Sequence, residues 1–324
     1  MINSVRNTVL SVLNKNNYGY ISPSDFNLYA KNAQMEMYEE YFSNYNKTIN
    51  YENVRQSGTG YANIEKPIGE TLEGFMVNSA LTPAPLMFYY APSLTTTGYQ
   101  YYMIEKILVN YSGYTLSSVT TNSAPNQLID FSVDFVAAGV VPGDIVVNID
   151  TSQFAIIAQV GANACDINEN IFGIPPVNYG IFSYSDYYDA DRTLNNKIDL
   201  LNRSNLTSPS TVFPAYTQSG DKIRTYPLQT VQGPGANWLY GSALATYFRY
   251  PFDPKWTYIT LVGGEPVFDS TQLDYQDFEL PNEDEYKLSM KILQYCGISI
   301  RESEVAAFAV AQEQHEQPSF SMQQ

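Results

Sequence analysis

The only histidine among 324 residues is His315, inside the polar segment AQEQHEQPSFSMQQ. A Ser-His-Asp triad, a Cys-His pair, an HExxH zinc helix and a facial iron triad all need an imidazole held in a rigid pocket, which a fraying terminal segment does not supply. Histidine-dependent catalysis is therefore nearly excluded. No GxxxxGK[ST] loop occurs. Gly233-Pro234-Gly235 and Gly263-Gly264 read as turns, because neither leads into a Lys-Ser/Thr pair or a helix that cradles phosphate. Cys165 and Cys296 form no CxxC pair, so a disulfide framework or zinc site is not expected, and both read as buried thiols. What remains is carboxylate chemistry. Asp186 with Asp189 and Asp191 in SYSDYYDADR, or Asp274 with Asp277, could flank a glycosidic bond. Acids among polar and aromatic residues are far more often a solvated face or a loop.

The loop 14–25 falls in register with an EF-hand, with Gly19 and Ile21 well placed. A hard cation needs several carboxylates to replace its water, and this loop offers Asn14, Asn16, Tyr18 and Asp25. It reads as a turn without metal. No catalytic, cofactor-binding or metal-ligating residue is assigned, and no cofactor is expected.

A formal charge of −16, from 17 basic and 33 acidic residues, argues against a groove that grips phosphates. An acidic surface does suit a channel through which DNA slides without sticking, although plain solubility is the commoner reason for it. The 28 tyrosines supply rigid contact area with a hydroxyl, which favours interfaces and sugar platforms. No stretch approaches the roughly 20 apolar residues of a membrane span, and no signal peptide is recognisable, so the expectation is a soluble protein made in a cytoplasm.

The elements that position these residues are partly legible. Ile2, Val5, Val9, Val12 and Leu13 recur at helical spacing. Ser22-Pro23-Ser24-Asp25 then starts a second helix, expected to end at Phe42. Phe26, Tyr29, Ala33, Met37 and Tyr41 make one stripe of it, and Leu28, Met35 and Phe42 make another. Such a helix is either buried centrally or packed on its own subunit and on a neighbour. YQYYMIEKILVNYSGYTL looks extended, and LIDF, DIVVNI and FAIIAQV look like strands of a small sandwich or barrel joined by the tight turn Val141-Pro142-Gly143-Asp144. From Asn195 to Gly241 four prolines in a polar texture suggest long ordered loops. A β-ribbon in FRYPFDPKWTYITLVGGEPVFD, a helix beginning at Glu283, Asp284 and Glu285 and stopping at Gly297, and a final helix from Glu302 to Gln314 with a mobile tail complete the chain.

The expected fold is α+β: a bundle of N- and C-terminal helices with an inserted β-sandwich or barrel module and long ordered loops. Its parts are a helical and extended body (1–116), the β module (117–172), the second part of the body with loops and ribbon (173–300), and a C-terminal helix and tail (301–324).

The segments NKNNYGYISPSDFNLYAKNAQMEMYEEYF, AAGVVPGDIVVN, DPKWTY and DFELP…DEYKL…KIL…GI together resemble tail ring, or head-to-tail connector, proteins of crAss-like podoviruses, over roughly half the chain. The resemblance implies a non-enzymatic virion protein forming a cyclic homo-oligomer of twelve copies. Its implied partners are the portal protein, other tail rings, and double-stranded DNA in transit without sequence recognition. For such a ring, Leu28, Met35 and Phe42 are candidates for the subunit interface. Asp274, Asp277, Glu283, Asp284 and Glu285 are candidates for the channel lining. The alternatives are a tail-associated host-recognition or carbohydrate-binding protein, favoured by the tyrosines and the β module, and a hydrolase working through Asp186, Asp189 or Asp191.

Overall fold

Ser22 caps a helix in the computed structural model as the Ser-Pro-Ser-Asp pattern predicts: its Oγ accepts from the Asp25 backbone N–H at 3.2 Å and donates to the Asp25 carboxylate at 2.6 Å. The structure describes residues 1–13, 21–55, 65–84, 87–151, 153–228 and 242–300. The loop residues 14–20, the expected final helix and tail, and His315 lie outside them. The described helices are α1 (Ile2–Leu13), α2 (Pro23–Arg55), α3 (Glu65–Glu73), α4 (Asn195–Leu201) and α5 (Glu285–Ile300). The fold is α+β. It divides into two compact units, one formed by Met1–Phe75 with Pro251–Gln324 and the other by Met76–Tyr250.

In the first unit α1 and α2 both pack on α5, and α2 also packs on α3. α1 buries Ile2, Val5, Val9 and Leu13, the stripe its spacing predicts. α2 buries Phe26, Ala30, Ala33, Met37 and Tyr38, while Tyr29 and Tyr41 sit half-buried at the edges of that face. The helix does not end at Phe42 but continues to Arg55, because residues 43–55 hold no Gly or Pro to stop it and α3 supplies a packing partner. α5 likewise runs through Gly297, the expected stop. Leu288, Ile292, Leu293 and Cys296 are buried along it, and that burial outweighs the roughly 1 kcal/mol a mid-helix glycine costs. Lys291, 1% exposed, lies between α5 and α2 with its Nζ 2.7 Å from Glu40 and 3.0 Å from Glu36.

Among its described residues the second unit holds three antiparallel or mixed sheets. Strands Met76–Ala80, Ala243–Arg249, Tyr101–Asn110 and Tyr187–Asp189 form the first, in that order. Within Tyr101–Asn110 both Ile104 and Ile107 are buried, although strict alternation places residues three apart on opposite faces. A bulge resolves this: Thr246 pairs with Lys106 and the next residue, Tyr247, with Ile104, so Glu105 is the extra residue and both isoleucines reach one core with Val109 and Tyr247.

A seven-stranded open sheet is built wholly from the strands between Leu116–Val119 and Asn178–Phe182. The runs LIDF, DIVVNI and FAIIAQV supply strands Gln127–Ile129, Ile145–Asn148 and Phe154–Val160. An open sheet replaces the barrel alternative, since its edge strands Leu116–Val119 and Asn122–Ala124 do not pair. The Val141-Pro142-Gly143-Asp144 turn forms as expected: Asp144 N–H donates to the Val141 carbonyl at 3.1 Å and Gly143 takes φ +99°. The third sheet contains the hairpin Ala215–Ser219 with Lys222–Tyr226, turning at Gly220 with φ +62°. With α4, this hairpin occupies much of the stretch read as long loops. Residues 229–241 lie outside the described part.

Candidate functional site

The acids that could have carried catalysis are dispersed among separate structural tasks. Asp186 lies in the 3-10 turn Tyr184–Asp186, and Asp189 ends the strand Tyr187–Asp189 with its carboxylate 3.3 Å from Lys106 Nζ, both side chains well exposed. Asp191 opens the exposed edge strand Asp191–Arg192. The Asp274 carboxylate pairs with Lys255, whose hydrogen bond holds its pKa below the ordinary value. Asp277 accepts from the Ile2 N–H at 2.7 Å and from the Met1 amine at 2.9 Å. Burial raises the Asp277 pKa, but these donors and the Phe278 N–H outweigh it and leave the carboxyl low. Cys165 and Cys296 are free and buried, as expected, and burial pushes their thiols up to about 11 and about 12. Neither is thiolate near neutrality. Among the described residues no group of three or more His, Cys, Asp or Glu could hold a metal ion.

A junction around Trp256 was not foreseen from the sequence. Its indole is 2% exposed, with the Arg6 guanidinium 3.8 Å from the ring centre and Tyr258 and Phe268 stacked on it at 5.6 and 6.0 Å. The indole N–H donates to Asn3 Oδ1 at 3.1 Å. Asn27 of α2 closes a reciprocal pair with the same residue: its Oδ1 accepts from the Trp256 backbone N–H at 2.8 Å and its Nδ2 donates to the Trp256 carbonyl at 3.2 Å. Gln34, two turns further along α2, repeats the device, donating to the Phe252 carbonyl at 2.7 Å and accepting from the Glu279 N–H at 3.2 Å. The side-chain amides of α2 thus satisfy backbone groups of the 252–279 segment that have no sheet to join.

From this root a two-stranded hairpin projects, Tyr258–Thr260 paired antiparallel with Pro266–Phe268. Its base is tied by Asp269 N–H donating to the Thr257 carbonyl at 3.0 Å and by the Thr257 hydroxyl on the Asp269 carbonyl. Beyond the base it is open and apolar. Val262 and Leu273 are fully exposed, at 109% and 107%, and Ile259 and Leu261 about half. Isolated ribbons are marginal in water, and contiguous exposed apolar patches mark interaction surfaces. The signal was present in the sequence: Ile259, Leu261 and Val262 of YITLV are large and apolar in a short ribbon bounded by Gly263-Gly264.

Of the proposed interface stripe, Leu28 is 54% exposed, Met35 is half-buried, and Phe42 is half-buried with its ring edge-on to Tyr38 at 5.1 Å. Phe42 therefore serves its own unit at least in part. Of the acids proposed to line a channel, Glu283 is exposed, Glu285 is half-buried at the start of α5, and Asp284 accepts the Tyr41 hydroxyl, whose pKa is raised by burial and by that carboxylate. Between α2 and α5, burial raises the Glu40 pKa, but hydrogen bonds and charge from Lys287 and Lys291 outweigh it and hold the carboxyl below its ordinary value.

Fold and surface define an α+β chain whose most conspicuous open feature is an apolar ribbon rooted on a buried tryptophan. No helix among the described residues is long and apolar enough to cross a membrane. No family model matches the chain, and no curated protein matches it.

Proposed function

We propose that this chain is a non-enzymatic structural protein of a tailed-bacteriophage virion, forming an oligomeric ring in the head-to-tail connector or tail barrel, on the conduit through which the genome leaves. In that reading the terminal helices form a bundle into which the β module is inserted. Twelve copies encircle the channel, and the portal protein and neighbouring tail rings are the partners. The observation that carries the reading is the open ribbon. The α2, DPKWTY and DFELP segments, which carry the resemblance to ring proteins, meet at the Asn27–Trp256 and Gln34–Glu279 pairs, and the apolar hairpin rooted at Trp256 carries the exposed Ile259, Leu261 and Val262. A ring subunit needs such surfaces, because head-to-tail closure uses two different complementary patches per copy. The charge of −16 fits a conduit that must not retain DNA.

The test is the native mass of the purified chain, alone and with the portal protein of the same genome, followed by electron microscopy. A closed ring, formed alone or on the portal, is the expected result and gives the symmetry directly. A stable trimer that binds glycans would replace the reading with host recognition.

A further inference from the structure

Two exposed apolar surfaces of opposite charge lie on different units of the chain. The first is the hairpin and the turn after it, where Val262 and Leu273 are fully exposed. Across residues 258–274 the charged side chains are Glu265, Asp269 and Asp274, of which Asp274 is paired with Lys255, a net charge of −2 with that lysine counted. The second runs from the start of α4 through the loop that follows it, where Leu194, Leu200, Leu206 and Phe213 are 68%, 64%, 97% and 78% exposed. In the same part of the chain, residues 191–224 carry five bases (Arg192, Lys197, Arg203, Lys222, Arg224) against three acids (Asp191, Asp199, Asp221), a net +2 within a chain of net −16.

We propose that the hairpin of one copy docks on the 194–213 surface of a second copy, as a head-to-tail contact between unlike faces. Each face supplies large aliphatic or aromatic side chains that lose water on contact, and the opposite charges fix orientation and favour encounter. A hairpin-to-hairpin contact would instead bring the unpaired acids Glu265 and Asp269 of each copy against each other. An acidic chain also disfavours most approaches between copies, and an exposed net-basic stretch lowers that repulsion. The contact rests on the ring reading only for closure, since unlike faces give rings when the rotation closes and filaments when it does not.

The experiment uses two full-length variants, V262E/L273E on the hairpin and L206E/F213E on the loop. All four positions are exposed, so both variants retain wild-type circular dichroism. Sedimentation velocity is run on each alone and on an equimolar mixture. The expected result is that wild type associates, each variant alone stays monomeric with at least tenfold weaker self-association, and the mixture forms a 1:1 dimer and nothing larger, because each variant keeps one intact face. Added salt weakens the wild-type contact. A mixture that stays monomeric, either variant associating like wild type, or a wild type that never associates would overturn the contact. Closed rings formed by both variants would overturn it and leave the ring reading standing. Wild-type dimers or open filaments without rings, with complementation in the mixture, would keep the contact and remove the ring.

Discussion

Asn27→Asp is isosteric, so it tests the Asn27–Trp256 pair without creating a cavity. The substitution keeps the acceptor for the Trp256 N–H but replaces the donor to the Trp256 carbonyl with a carboxylate oxygen about where the amide nitrogen stood, at 3.2 Å. The lost hydrogen bond is worth about 1 kcal/mol, and an unsatisfied carbonyl adds roughly 1–3 kcal/mol. Asn27 is only half-buried, so water recovers part of this, and the expected loss is about 2 kcal/mol at pH 7. Read by native-state hydrogen exchange, that is about a 30-fold fall in protection of the α1 and α5 amides. A carboxylate facing a carbonyl has a folded pKa raised above its unfolded value. The penalty is therefore full above the folded pKa and shrinks as pH falls towards the unfolded value of about 4, where the protonated carboxyl donates as the amide did. Wild type has its own acid sensitivity, so the quantity to follow is the variant-minus-wild-type difference at each pH. A difference that is absent at pH 7, or that does not shrink in acid, would refute the pairing as the element that fixes the hairpin root.

Lys291→Met removes a buried ammonium, leaving Glu40 with Lys287 and Glu36 with the Tyr295 hydroxyl as their remaining partners among those described. Because both carboxylates keep some water, the expected loss is about 2–3 kcal/mol in urea unfolding rather than the larger cost of a wholly buried pair. The Glu40 pKa is depressed, so its contribution is present above the unfolded value of 4.5 and is lost as pH falls through the folded value; the acid limb of stability should flatten in the variant. Gly180→Ala places a methyl group where the Tyr114 ring lies, and that ring also packs on Phe182 at 4.6 Å, so calorimetry should show a loss of about 1–3 kcal/mol in the β module. Native protein at pH 8 should leave both cysteines unlabelled by a disulfide reagent, and urea should release two equivalents.

Local chemistry was legible where the chain decides it alone. Ser22, Pro23 and Asp25 start α2, and Pro142-Gly143 makes its turn, because capping and φ preference act within four residues. Helix ends were not, because α3 sustains α2 beyond Phe42 and the core contacts of α5 override Gly297. The hairpin at Gly220 was readable and went unread: AYTQ and KIRTY flank Ser-Gly-Asp, a recognised turn pattern masked by the prolines on either side.

The surface features show the same division more sharply. Spacing identified Leu28, Met35 and Phe42 as a stripe, yet spacing cannot say that Tyr38 claims Phe42. Nor can it foresee that the Asp277 carboxylate accepts from the Met1 and Ile2 nitrogens, 276 and 275 residues away in sequence. Trp256 and Asn27 are 229 residues apart, and nothing in either neighbourhood announces the other. What the sequence did hold was the run YITLV: beyond the Tyr258 and Phe268 rings stacked on Trp256, a two-stranded ribbon buries little by itself, and Ile259, Leu261 and Val262 stay exposed, the mark of a surface that meets another. In an acidic chain an exposed, apolar and net-basic stretch, residues 191–224, is a complementary place to look, and removing an acid from the hairpin or from that stretch should therefore move association in opposite directions. Glu265→Lys should weaken wild-type self-association, and Asp199→Asn should strengthen it, both by a few-fold at low salt and by less at high salt.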